Sequence, residues 1–364
     1  MAAEPPGGVL AFGGHLKATV ALTCGAGLVA GQHLGDLETG AARDGHRNAL
    51  DDLVRLHRAA PRVAACDLHP DYVSTRAAEA SGLPLRRVQH HVAHVASCMA
   101  EHGLEPPVLG VAWDGAGYGP DGTVWGGEFL HVTASGWRRA AHLLPFPLPG
   151  GEAAVREPRR AALGLLHAAF GEKALAMTDL APVAAFTPSE RAVLGGMLRG
   201  GVNAPVTTSA GRLFDGFAAL CGLCQRAGYE GQAAAALEAC ADGGGRAYDL
   251  PVTGGNGHPM VVDWRPALEA ALTDLRGGGS AGAVAEALHN GLAAAVAAVA
   301  ARAGERRVVL TGGCFQNVRL TEAAVGALRA AGREPFRHER VPPNDGGLAV
   351  GQAAWAMWHP AEEA

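Results

Sequence analysis

The sequence predicts an α/β protein in which short strands run into glycine-rich loops and then into helices. Two strand–loop–helix units near the C-terminus carry this most directly. One has an apolar strand at residues 307–310, the pair Gly312–Gly313 and a helix; the other has a strand at 336–341, ProProAsnAspGlyGly and a helix to about Trp358. Hairpin patterns are the second observation. Apolar segments at 9–12 and 19–23 flank GlyGlyHisLeuLys, and a buried-strand pattern at 108–113 breaks at AspGlyAlaGlyTyrGly and resumes at 123–132. Helical stretches are the third: residues 84–101, most of 156–240 and an Ala-rich run over 281–303. A variable, charged stretch reaches to about Pro61, and a glycine-rich loop stands at 242–245. In open α/β architectures, ligands collect at the carboxyl ends of strands.

The 364 residues allow two lobes with cores of their own. Hydrophobic residues make up 48% and charged ones 18%, which excludes disorder as a whole-chain reading. The net charge of −5, with no block of like charges, argues against capture of a nucleic-acid backbone. Only Lys17 and Lys173 are lysines, a bias that reads as genome composition. The opening residues lack the pattern of a signal peptide, and the most apolar run, 292–301, is about half a membrane span. Seven scattered cysteines fit a reducing compartment, so the expectation is a cytoplasmic protein without membrane or nucleic-acid partners.

Chemistry first gathers at His90 and His94. On a helix their i, i+4 spacing puts them on one face, roughly 200° and 240° round from Val88, whose stripe with Val92, Val95 and Met99 must face the core. Such a pair can chelate one metal ion or be two surface histidines, and it needs carboxylates from elsewhere to be a site. No HExxH glutamate is present, which removes the zinc-protease reading. Asp114 and Asp345 each end a predicted strand beside glycines, placed for a metal or phosphate, or for an ordinary Asx-turn. The Gly312–Gly313 turn lets a flat ligand lie against the backbone with Asn317 as a hydrogen-bonding side chain. It is neither a Walker A loop nor a dinucleotide fingerprint.

Together these segments resemble a known family. ValGlnHisHisValAlaHis (88–94), the stretch 112–129 from AlaTrpAspGly to GlyGlyGluPhe, GlyArgLeuPheAspGly (211–216), TyrGluGlyGlnAlaAla (229–234), ThrGlyGlyCysPheGlnAsn (311–317) and ProProAsnAspGlyGlyLeuAla (342–349) resemble the C-terminal carbamoyltransferase module of the HypF family, which serves [NiFe]-hydrogenase maturation. GlnHisLeuGlyAspLeuGlu (32–38) and CysAspLeuHisProAspTyr (66–72) fit it too, so the likeness runs from about residue 10 to 356.

The resemblance implies a duplicated actin/Hsp70-like (ASKHA) fold similar to Kae1. One lobe would span 1–140, with a helix at 346–358 packing back on it, and the other 141–345. It implies a metal, Fe(II) or Zn(II), on His90, His94, Asp114 and Asp345. Asp215 and Glu230 would meet the ribose of an adenine nucleotide, and Gly115, Gly117, Gly312, Gly313 and Asn317 would complete the nucleoside pocket. Lys17 would lie near the phosphate or carbamoyl end. The implied reaction uses carbamoyl phosphate and ATP, passes through carbamoyl-adenylate and ends on the C-terminal cysteine of a HypE-like partner. The acylphosphatase-like, zinc-finger and YrdC-like domains of full-length relatives are not in this sequence, which reads as a short form or an excised module.

Rival readings are an aminoglycoside-type O-carbamoyltransferase and a non-catalytic nucleotide-binding partner subunit. Transfer of threonylcarbamoyl to tRNA is disfavoured by the GlnHisHis and TyrGluGlyGln motifs and the absence of a basic bias. Cys221 and Cys224 read as core packing, Cys314 as a small residue beneath the nucleotide, and His289 as a hydrogen-bonded core histidine. His69 stands near the cleft, and Arg156, Arg159 and Arg160 read as solvated helix charges.

Overall fold

The computed structural model describes residues 8–25, 27–255 and 257–360. Residues 1–7, on which the reading of the opening segment partly rests, lie outside them. β1 (Gly8–Ala11), β2 (Ala21–Cys24) and β3 (Gly27–Ala30) form an antiparallel meander. The chain passes through α1 (Gly40–Leu56) to β4 (Pro61–Asp67), which pairs parallel with β1. It then passes through α2 (Val73–Ala80) to β5 (Leu85–Val88), parallel to β4. The sheet order is β3-β2-β1-β4-β5. The helix α3 (His90–His102) leads out of it.

The second sheet repeats that plan. β6 (Val108–Tyr118), β7 (Val124–Thr133) and β8 (Gly136–Leu143) form a meander. A largely helical segment follows: β9 (Phe146–Pro147), α4 (Ala153–Arg156), α5 (Pro158–Phe170), α6 (Ala181–Ala184), α7 (Pro188–Gly200), β10 (Val206–Thr207), α8 (Ala210–Leu220) and α9 (Gln232–Cys240). β11 (Val252–Gly254) and β12 (Met260–Val262) extend the sheet beyond β8. After α10 (Arg265–Arg276) and α11 (Ala281–Ala303) comes β13 (Arg307–Thr311), parallel to β6. Then α12 (Val318–Ala330) leads to β14 (Glu334–Arg337), parallel to β13, and α13 (Leu348–Trp358) completes the fold. The order β8-β7-β6-β13-β14 matches β3-β2-β1-β4-β5 strand for strand, so the fold is the expected duplicated α/β one.

Three expected boundaries move, each for a local reason. The helix expected over 84–101 begins only at His90, because Leu85–Val88 pairs with Ala64–Asp67 as a strand. The Gln89 side chain then accepts from Val92 N and starts the helix. The strand expected to break at residue 113 runs on to Tyr118 through a bulge between Trp113 and Gly117. The strand expected to reach 341 stops at Arg337, since the amides of Glu339, Arg340 and Val341 turn to the buried Glu101 carboxylate instead. The lobe boundary placed near residue 140 falls inside β8, and the second sheet is continuous across it.

Both faces of α3 are covered, and His90 to Met99 are all buried. Val95 packs under Gly110 of β6, while α13 crosses α3 on its other side. α13 also lays Ala349, Ala353 and Ala356 on Val9, Ala11, Ala21 and Ala65 of the first sheet. One helix, α11, is long and apolar enough to cross a membrane, but 72% of its apolar window is buried inside the protein, as a core helix.

The α3–α13 crossing depends on Gly351, where a Cβ would sit 1.7 Å from Ala93 O. In an ordinary helix interior, Gly→Ala gains up to about 1 kcal/mol. Here Gly351→Ala must push the helices apart, and an expected loss of about 1–3 kcal/mol would register in denaturant unfolding.

Candidate active site

Four side chains from three parts of the chain converge where the two sheets meet. His90 and His94 come from the first two turns of α3, Asp114 from the bulge of β6 and Asp345 from the turn before α13. Asp114 Oδ2 lies 3.3 Å from His90 Nε2 and 3.1 Å from His94 Nε2. Asp345 Oδ1 is 3.7 Å from each of those nitrogens. The two histidines are buried outright, so they face an enclosed polar cleft rather than solvent. The other Asp114 oxygen, Oδ1, accepts from Gly115 N (2.8 Å) and Gly313 N (3.1 Å), which fixes the carboxylate plane. A side chain at position 313 would put its Cβ 2.7 Å from that oxygen, so the second glycine of the pair is there for close approach.

The electrostatics of the four are mutually dependent. Burial favours neutral Asp114, but the hydrogen bonds from His90 and His94 outweigh it and hold the carboxyl well below its usual range. Burial opposes charge on His90, yet Asp67 and Asp114 raise it well above an ordinary histidine, while burial lowers His94. Asp345 is pushed up to about 7 by burial and by the charge of Asp114, against the pull of His90 and Lys17. Ligand atoms around a divalent ion at about 2.1 Å lie about 3.0–3.5 Å apart. One donor atom from each of these residues falls within 4.8 Å of all the others. Two imidazoles and two carboxylates so placed fit a divalent cation.

A fifth residue was not singled out from the sequence. Asp67, at the carboxyl end of β4, accepts from His90 Nδ1 at 2.8 Å with both side chains inaccessible. Its Oδ1 accepts from His69 N, so its orientation is fixed too. That bond leaves His90 Nε2 to face the cleft. His94 has no such help; its Nδ1 is buried without a hydrogen bond among the described residues. The available signal was an apolar run, ValAlaAlaCys, ending in Asp, as at Asp114.

Of the residues expected around a nucleoside, Glu230 stands against Gly115, as does Arg212, the charge partner of Asp215, while the others are spread along the neighbouring elements. Asp215 is buried on α8, with its Oδ2 3.1 Å from Arg212 Nη1, and burial raises its pKa. Glu230 precedes α9 and binds Lys17 Nζ at 2.5 Å. Burial works against the Lys17 ammonium, but the bond to Glu230 and the charges of Glu230, Asp345 and Asp114 outweigh it and raise its pKa. Gly312 turns at φ +94 against the Trp113 backbone. Gly117 packs on the rings of His90 and His91, nearer the imidazoles than the Asp215 side. The Asn317 side chain caps α12 through Leu320 N and meets His289 Nε2 at 2.8 Å.

The remaining residues divide. His289 is a hydrogen-bonded core histidine, tied to Ala285 O. His69 stacks on Tyr72 with ring centroids 4.3 Å apart. Burial pushes the Cys314 thiol well above its ordinary value and Cys221 up to about 12, which makes poor nucleophiles of both. Arg159 is not a solvated helix charge: its side chain is 3% exposed, paired with Glu157 and Glu190 and laid over Phe186. A cavity of about 1330 Å³ walled by Met99, Leu104, Val341, Trp355 and Trp358 includes none of the four donors.

The duplicated fold is that of a Kae1-like module, and the family it matches is of the carbamoyltransferase class. Residues 110–352 match the family described as carbamoyltransferase, Kae1-like domain, second subdomain, and residues 4–101 match the HypF Kae1-like domain. The chain belongs to the HypF family. It is 41% identical over 358 residues to carbamoyltransferase HypF of Synechocystis sp., covering 94% of this chain and 46% of that protein. A carbamoyltransferase HypF homolog of Cupriavidus necator is 38% identical, over 97% of this chain and 92% of its own length. A crystal structure of full-length HypF in a phosphate- and nucleotide-bound form superposes with TM-score 0.90 at 33% identity, over 98% of this chain and 47% of that one. This chain thus spans about half the length of the first of these relatives and nearly all of the second.

Two outcomes follow from the geometry. In Asp67→Asn, an amide nitrogen turned toward His90 would favour the tautomer with a proton on Nε2. Divalent-metal affinity should fall about 10–100-fold in calorimetric titration. In the chelated protein, Asp345 carries a folded-state pKa above its unfolded value, so its contribution is lost as pH rises from 3.8 to about 7. Asp345→Asn should therefore gain melting temperature relative to wild type across that window and match it below; a constant difference at all pH values would remove Asp345 from the buried cluster.

Proposed function

We propose that this chain is the carbamoyl-transfer module of [NiFe]-hydrogenase maturation. It would move a carbamoyl group from carbamoyl-adenylate, made from carbamoyl phosphate and ATP, to the C-terminal cysteine of a HypE-like protein. The observation that carries the reading is the convergence of His90, His94, Asp114 and Asp345, with Glu230, which binds Lys17, and Arg212, which pairs with Asp215, standing against the neighbouring Gly115. The existence of a phosphate- and nucleotide-bound HypF structure supports it. Seven free cysteines suit a reducing, cytoplasmic setting.

In this reading His90, His94, Asp114 and Asp345 hold Fe(II) or Zn(II), which when bound supplies Lewis acidity toward the carbamoyl oxygen. Asp215 and Glu230 accept from the ribose hydroxyls. Gly115, Gly117, Gly312, Gly313 and Asn317 frame the nucleoside with backbone and a fixed amide. The acceptor thiolate attacks the carbamoyl carbon; the C–S bond forms, the bond to the phosphate oxygen breaks, and AMP leaves. Lys17, released from Glu230, sets its ammonium against the charge gathering on that phosphate. A thiolate acceptor requires no general base.

The test is label transfer from [14C]carbamoyl phosphate with ATP to purified HypE, with and without this protein, and again with preformed carbamoyl-adenylate. Transfer that disappears in His90→Ala, together with its bound metal, is the expected result. Transfer only from the preformed adenylate would assign the adenylation to another protein. Labelling of an aminoglycoside hydroxyl in place of HypE would move the reading to O-carbamoylation.

A further inference from the structure

One buried cation in the cleft has no task in the scheme above. Arg212 stands in the first turn of α8, where its backbone N donates to the Ser209 cap. Ser209 Oγ in turn donates to the carbonyls of Asp114 and Gly115, both at 2.8 Å, so the start of α8 is tied to the bulge carrying Asp114. The Arg212 side chain is 5% exposed. Its Nε and Nη1 are buried without a hydrogen bond among the described residues. Nη1 lies 3.1 Å from Asp215 Oδ2, an ion-pair distance without a hydrogen bond's direction. Nη2 is 3.6 Å from the point where a Cβ on Gly115 would stand, and Glu230 Oε1 is 3.9 Å from that same point.

A guanidinium stays charged and offers five donors in a planar fork. Burying two of its N–H groups unsatisfied is costly, and Asp215 offsets the charge without satisfying the directions. A packing arginine keeps its head wet and buries only its stem; here the head itself is buried, beside a glycine that leaves open the space in front of it. The missing partner is an anion that can accept from two N–H groups at once. On one side of the guanidinium lie the carboxylates suited to ribose hydroxyls, and on the other, one residue before Gly115, lies Asp114.

We infer that Arg212 is the receptor for an anionic phosphoryl group, that of a nucleoside 5′-monophosphate ester, held between the Asp215–Glu230 carboxylates and Asp114. The inference rests on the nucleotide reading proposed above. In the unliganded protein Asp215 partly neutralises Arg212. In the complex the ribose engages Asp215, and the guanidinium turns its fork to two phosphoryl oxygens.

Calorimetric titration of the full chain with adenosine, AMP and inorganic phosphate tests it, using wild type and Arg212→Met. Wild type should bind AMP at least about tenfold tighter than adenosine. Arg212→Met should lose that advantage, so that AMP and adenosine bind it with similar affinity. Arg212→Gln, which keeps an amide beside Asp215, is read the same way should the methionine variant fail to fold. An AMP advantage retained in these variants overturns the inference, as does a wild type that binds no phosphate-bearing probe. Should wild type bind inorganic phosphate through Arg212 but not adenosine, the phosphoryl role stands and the nucleoside reading of Asp215 and Glu230 falls.

Discussion

Two imidazoles and two carboxylates held inside the protein within 4.8 Å of one another set the terms for everything around them. Charged groups lose several kcal/mol of hydration on burial, and mutual attraction repays this only when the geometry is held and the remaining lone pairs are used. The structure supplies both conditions around Asp114. One of its oxygens takes two backbone amides and the other takes two imidazoles, so all its acceptor capacity is engaged. His90 is fixed from behind by Asp67, which is itself fixed by a backbone amide. Each link limits the rotation of the next.

The duplicated sheet plan explains why such a site can exist here. Asp67 ends a strand of the first sheet, Asp114 ends the regular part of a strand of the second, and α3 is the connection between them. Asp345 enters from the turn before α13, which belongs to the second sheet's chain but lies on the first sheet. Neither sheet alone holds more than part of the cluster. Rigidity at the α3–α13 crossing is therefore felt at the histidines, since α13 starts three residues after Asp345 and covers the helix carrying His90 and His94. The Glu101 carboxylate adds to this: it sits at the end of α3 and receives the amides of 339–341, tying the segment that leads to Asp345 to the same helix.

Much of this was legible in the sequence, and the exceptions share a cause. The hairpins, the Ala-rich helix and the strand–glycine–helix units were legible because apolar periodicity and turn residues act locally. Asp114 and Asp345 stood out because glycines flank them. Asp67 did not, since LeuHisPro after it signals no ligand loop, and its role is set by a parallel strand pairing with Val88, twenty-one residues on in sequence. That same pairing turned the expected first turn of α3 into β5. Glu101 and Arg159 escaped for a related reason: a charged residue on a helix reads as solvated until its distant partners are known. The full burial of His90 and His94 was equally invisible, because the periodicity marked only the apolar stripe of a helix that is enclosed on both faces.

The cleft also carries an alternation of charge that a list of motifs does not reveal. From α3 outward come the acidic cluster of Asp114 and Asp345, then the cations Arg212 and Lys17, then the carboxylates Asp215 and Glu230. Each cation is paired in the free protein with one of the outer carboxylates, so the cleft is closed electrostatically upon itself. A ligand that opens it must replace both pairs at once, offering hydroxyl donors to the carboxylates and an anion to the cations. In the proposed reading a nucleoside phosphate would do this in a single molecule, with the group beyond its phosphate directed at the His90–His94–Asp114–Asp345 cluster. Adenosine alone would leave the cations uncompensated, and free phosphate would leave the carboxylates so. In the proposed reading, the fold thereby selects the whole adenylate by its pattern of charge, and the same pattern aims the transferable carbamoyl group at the four donors.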